Sequence, residues 1–181
     1  ALPSYGDNFS LAHIDVRDEA AVTEFIASRP QLDVVINNMN LSHGSPLLET
    51  STAALREVLE MNVVAAFVIM REATRFMVAH DGGHIINIAS TAAVQGVANR
   101  APFAASKHAL LGLGRSLEQE LHAYPIRITT FCPGPIASAS EEPDPPTPSV
   151  LAPDTLAATI VHLASLPPEV EIKELVVEPV E

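Results

Sequence analysis

Short runs of apolar residues alternate along the chain with longer stretches in which apolar positions recur every three or four residues, the pattern of βα units on a parallel sheet. Leu11 to Val16 predicts a short strand, ending at Asp15-Val16-Arg17-Asp18. Asp18 suits a helix N-cap, and Ala21, Val22, Phe25 and Ile26 form one stripe on a helix running to Ser28, which Arg29-Pro30 ends. Asp33 to Asn37 is β-branched and apolar at its centre, as a strand buried on both faces must be. After a polar loop from Asn38 to Pro46, Ser51 to about His80 predicts one long helix with room for a bend. Leu55, Val58, Leu59, Val63, Phe67, Met70 and Phe76 give it more apolar surface than one buried face needs. Asp81-Gly82-Gly83 stops it, and His84 to Ala89 is the next strand. Pro102 to His122 predicts a helix whose Gly112 and Gly114 each cost about 1 kcal/mol against Ala, which marks close packing. A strand from Ile126 to Cys132 ends in Pro133-Gly134-Pro135, followed by a helix from Pro153 to Ser165 and a strand from Glu174 to Val177.

This order predicts one α/β domain over residues 1–181, with a Rossmann-like parallel sheet of about five strands flanked by helices. Residues 138–153, dense in Pro, Ser, Glu and Asp, are expected to form a flexible loop inside it. Only 4% of the chain is aromatic and Trp is absent, so the core must be aliphatic. A net charge of −12 argues against nucleic acid or an anionic membrane as partner. The single cysteine, Cys132, excludes an internal disulfide and a cysteine-based zinc site and fits a reducing, cytoplasmic compartment. The N-terminal residues lack the order of a secretion leader, and no run of about 18 apolar residues is present, so a soluble protein is expected. His80 and His84 lie four apart, but Gly82-Gly83 breaks the face they would share, so no metal site is expected.

Several segments, taken in order, resemble the short-chain dehydrogenase/reductase family. Leu32 to Asn38 is similar to the strand and Asn-Asn turn that open its Asn-Asn-Ala-Gly motif, and Ile85-Ile86-Asn87-Ile88-Ala89-Ser90 to the strand ending in its catalytic serine. Phe103-Ala104-Ala105-Ser106-Lys107 resembles the Tyr-x-x-x-Lys motif, and Pro133-Gly134-Pro135-Ile136 the Pro-Gly turn after the sixth strand. The resemblance implies catalytic positions at Asn62, Ser90, Phe103 and Lys107. Ser90 would hold a carbonyl oxygen, Lys107 would bind the nicotinamide ribose and lower the acid's pKa, and Asn62 would position a relay water. It implies cofactor contacts at Asp15, Val16, Asn38, Lys107, Pro133, Gly134 and Ile136. Residues four apart on a helix share a face, so positions 103 and 107 point into one site.

The chain departs from that pattern in three places. Phe103 stands where the family has its tyrosine, and a phenyl ring neither donates a proton nor hydrogen-bonds a carbonyl; general acid catalysis is worth about 10²–10⁴-fold. These 181 residues contain no Thr-Gly-x-x-x-Gly-x-Gly turn, whose backbone N–H groups approach a pyrophosphate at a helix N-terminus. Met39-Asn40 replaces Ala-Gly and is expected to crowd the nicotinamide wall. In the family's strand order, 3-2-1-4-5-6-7, strands one and two lie between the counterparts of Leu11–Val16 and Asp33–Asn37. These two segments are therefore expected to pair directly.

NAD(P) is the expected cofactor if any binds, and none is expected to bind tightly. Impaired or lost oxidoreductase activity follows, with a non-catalytic or assembly role. The alternatives are a non-redox cyclase, isomerase or lyase that uses the old pocket, or a truncated or inactivated carbonyl reductase. His43, in the loop after Asn37, is a candidate substitute acid. A homodimer through helices 51–80 and 102–122 and a small apolar ligand are the expected partners.

Overall fold

Residues 10–137 and 150–180 of the computed structural model are described. Their β-branched runs form four parallel strands in chain order: β1 (Val34–Asn37), β2 (Gly83–Ile88), β3 (Ile126–Pro133) and β4 (Glu174–Val177). Register is pinned where Asn37 faces Asn87 across β1 and β2, the Asn37 Nδ2 donating to Asn87 Oδ1 at 3.2 Å.

The helices cover both faces of the sheet. On one side, α3 (Ala65–Val78) and α4 (Ala101–Leu121) bury Ala66, Met70, Met77, Leu110 and Leu121 against Ile85 and Ile128. On the other, α5 (Pro153–Ser165) packs Leu156 and Leu163 on Ile86, Ile88 and Phe131. The first helix, α1 (Glu19–Ala27), capped by the Asp18 side chain, sets Val22 and Ile26 against Val68 of α3. The predicted long helix bends: α2 (Thr52–Leu59) joins α3 through a π-turn at Glu60–Val64, whose wider i→i+5 bond runs from Ala65 N–H to Glu60 O.

The fifth strand expected at Leu11–Val16 is absent among the described residues. Leu11 to Val16 pairs with none of the described strands; Leu11 is exposed, while Ile14 packs beside α1 and α3. The anticipated pairing with β1 assumed that backbone hydrogen bonds would place this segment. Side-chain burial of α1 on α3 places it instead, and the chain leading into the helix follows. Most of the 138–153 stretch, residues 138–149, lies outside the described residues. Its end is fixed: Leu151 is buried and bridges Ile136, donating its N–H to Pro135 O at 2.8 Å.

The two glycines of α4 differ. A Cβ on Gly114 would stand 2.4 Å from Oγ1 of Thr130, itself buried in β3, whereas a Cβ on Gly112 would meet nothing within 4 Å. Close packing within the chain therefore explains Gly114 alone. Gly114→Ala is expected to cost about 1–2 kcal/mol, because Thr130 must shift in a filled core. Gly112→Ala is expected to be neutral or to add up to about 1 kcal/mol of helix propensity. Urea denaturation of the two variants checks the contrast.

Candidate active site

The carboxyl ends of parallel strands are where open α/β sheets bind ligands, and the residues singled out in the sequence gather there. β2 runs out at Ile88, and Ser90 caps a short turn at Thr91–Ala93, its Oγ accepting the Ala92 N–H at 3.2 Å. Pro102 in the first turn starts α4, which carries Phe103, Ser106 and Lys107 toward that strand end. Phe103 is buried against Ala92 and Ala104.

Lys107 lies at the centre, only 1% exposed. Its Nζ donates to Met39 O at 2.9 Å and to Ile88 O at 3.2 Å, and sits 5.5 Å from the centroid of the Phe103 ring. Thus one ammonium ties the loop after β1 to the end of β2. Burial, which penalises the charged form, lowers its pKa from 10.5 to about 8; the nearby Cys132 opposes the shift weakly. Burial likewise raises the Cys132 thiol, although the Ser90 backbone hydrogen-bonds to it.

Asn62 comes from the π-turn and is fully buried. Its Oδ1 accepts Leu41 N–H at 2.7 Å, and its Nδ2 donates to Leu41 O at 2.8 Å and to Ser106 Oγ at 2.9 Å. Ser106 Oγ in turn donates to Phe103 O at 2.7 Å. The Asn62 side chain thereby clamps the loop after β1 to α4. Sequence reasoning missed Ser106, whose signal was its place between positions 103 and 107.

The remaining expected cofactor contacts make none of these hydrogen bonds. Asp15 is exposed and forms a two-pronged pair with Arg17, at 2.9 and 2.8 Å; that hydrogen bonding first, then the Arg17 backbone N–H, holds its carboxyl at about 2. Val16 is half-buried and Asn38 exposed. Met39 turns its side chain into the core beside α3 and α4, so the expected crowding is not by that residue. Pro133 and Gly134 are buried where β3 ends, with Gly134 N–H bonded to Val177 O at 2.8 Å, and Ile136 is exposed. His43 pairs with Glu57 at 3.1 Å on the surface. No metal-binding group of three or more His, Cys, Asp or Glu occurs among the described residues. No described helix is long and apolar enough to cross a membrane.

A cleft of about 890 Å³ opens at the opposite end of the sheet, lined by Asp33, His80, Glu118, His122 and Lys173 among others. It contains none of the cluster around Lys107.

The family model described as short chain dehydrogenase matches residues 1–148. The 2-keto-3-deoxy-L-fuconate dehydrogenase of Xanthomonas campestris pv. campestris is 30% identical over 141 residues, covering 77% of this chain and 47% of that protein. The chain spans about half the length of the curated relatives it matches. Serine dehydrogenase complexed with NADP+ superposes with a TM-score of 0.87 at 27% identity, over 95% of this chain and 76% of that one. A Tyr-to-Phe variant of ElxO with NADPH bound superposes with a TM-score of 0.87 at 26% identity, over 97% and 79%.

The buried amine carries a pH signature. Between pH 8 and 10.5 the unfolded chain holds a proton at Lys107 that the folded chain has released, so stability must rise with pH. Relative to Lys107→Met, the wild-type chain is expected to gain at most about 3 kcal/mol across that window, read by urea denaturation at its two ends.

Proposed function

Because this chain belongs to the short-chain dehydrogenase family, we propose that it keeps that family's carbonyl-facing site in a form whose NAD(P)-dependent oxidoreductase activity is impaired or lost. The carrying observation is the pairing of Lys107 with a phenyl ring. The amine lies 5.5 Å from the Phe103 ring centroid, where a phenol would have offered a proton, and its hydrogen bonds go to two backbone carbonyls. In this reading Ser90 holds a substrate carbonyl oxygen, Phe103 provides an apolar wall and Lys107 is left without an acid to activate. Asn62 acts as the clamp that keeps α4 in place.

The residues present fit a dinucleotide only in part. Pro133, Gly134 and Lys107 border the end where a nicotinamide would enter. Asp15 is already paired with Arg17, and no glycine turn among these residues offers backbone N–H groups to a pyrophosphate. The ElxO variant holds NADPH with one tyrosine replaced by phenylalanine, so a Tyr-to-Phe change does not by itself exclude the cofactor from that protein. In this reading these 181 residues hold NAD(P) weakly, and no hydride step is assigned to them. The apolar contact of Phe103 with Ala92 also suits a small apolar ligand bound without redox chemistry.

A homodimer through α3 and α4 accompanies this reading. Val64 and Phe67 are exposed and a Cβ on Gly112 would meet nothing within 4 Å, which leaves room for a second copy on these helices.

Two measurements test the proposal. Wild-type chain titrated with NADPH is expected to show no saturation below about 1 mM, since a Kd of about 1 mM corresponds to only about 4 kcal/mol of binding. With millimolar NADPH and a ketone, wild type is expected at background, and Phe103→Tyr to raise the rate about 100-fold. Micromolar NADPH binding with ketone reduction by the wild-type chain overturns the reading.

A further inference from the structure

The amine of Lys107 is buried without a carboxylate. It takes part in none of the ion pairs among the described residues, and its two hydrogen bonds go to uncharged oxygens, Met39 O at 2.9 Å and Ile88 O at 3.2 Å. An ammonium carries three N–H donors and a neutral amine two. The third position on Nζ meets no acceptor among the described residues, so the site offers as many acceptors as the neutral amine has donors. In that form the third position holds a lone pair.

The surroundings favour the same form. Facing the amine are the two carbonyls, the Phe103 ring 5.5 Å away and, from β3, the Cys132 thiol, whose own pKa burial raises. With the amine at about 8, about a quarter of it is neutral at about pH 7.5, against about one part in a thousand for an ordinary lysine. A desolvated, neutral lysine is a nucleophile toward carbonyl carbon. Resting on the reading that NAD(P) is held weakly, so that no nicotinamide ribose shields Nζ, we propose that Lys107 captures a small aldehyde or ketone as an imine.

The step needs no oxidant or reductant. Nζ adds to the carbonyl carbon, the C–O bond of the carbinolamine then breaks, and the oxygen leaves as water with the two amine hydrogens. Ser90, two residues beyond Ile88, is half-buried; its Oγ accepts the Ala92 N–H and keeps its own proton to donate to the carbonyl oxygen. An iminium retains one N–H, so capture releases either Met39 O or Ile88 O. At 1% exposure, Lys107 admits only carbonyl compounds of a few atoms.

Lys173, the second of the two lysines in the chain, is an internal control: it is exposed, and its hydrogen bond to Glu118 raises its pKa. The whole chain is treated with propanal and cyanoborohydride, and peptide mass mapping reads the propyl group at each lysine. At about pH 7.5, Lys107 is expected to be alkylated at least about tenfold faster than Lys173, and at least about tenfold faster in the folded chain than in urea. Its rate is expected to level off above about pH 9 while that of Lys173 keeps climbing. The proposal is overturned by a Lys107 that reacts only in urea, by one no faster than Lys173, or by a rate that climbs with pH as that of Lys173 does. Micromolar NADPH that shields a reactive Lys107 overturns the weak-cofactor reading and leaves the capture standing; an unreactive Lys107 in a chain that binds no NADPH does the reverse.

Discussion

An amine withdrawn from water must find oxygen atoms to replace it, and the two that Lys107 finds belong to different parts of the chain. Met39 O comes from the loop after β1 and Ile88 O from the end of β2. Burying the amine without them would leave a charge unpaired in an apolar setting, a cost of several kcal/mol. The carbonyls fix where α4 lies over the sheet, and the position of Phe103 follows from the same helix turn. The shift of the amine toward neutrality is the electrostatic counterpart of that burial.

A second fastening works from the other side. The π-turn at Glu60–Val64 turns Asn62 inward, and the Asn62 amide joins Leu41 to Ser106. With Ser106 bonded back to Phe103 O, the loop after β1 is held at both Met39 and Leu41. The cluster is therefore stiff, and position 103 carries no proton donor.

The outer flank of the sheet follows a different logic. The α1 helix needs only the apolar stripe of α3 to settle, and Arg71 of α3 pairs with Glu19 of α1 at 2.7 Å to join their exposed sides. That packing places α1 beside α3 with no strand among the described residues taking part.

Apolar period and turn chemistry were enough to locate the helices and the four strands, because the repeat of 2 or 3.6 residues is a local property of the chain. The Phe103-to-Lys107 spacing likewise placed two side chains on one helix face. Local pattern failed at Leu11–Val16, which has the composition of a strand but pairs with none of the described strands, and at Gly112, whose open side meets nothing within 4 Å among the described residues. It could not show that Lys107 is buried, that Met39 turns to the core or that Ser106 links Asn62 to Phe103. These depend on which segments meet across sequence separations of 19 to 68 residues. The sequence by itself determined the kinds of element and the chemistry missing at position 103. Tertiary structure decided which oxygens the amine would find, because hydrogen-bond partners distant along the chain are chosen by packing.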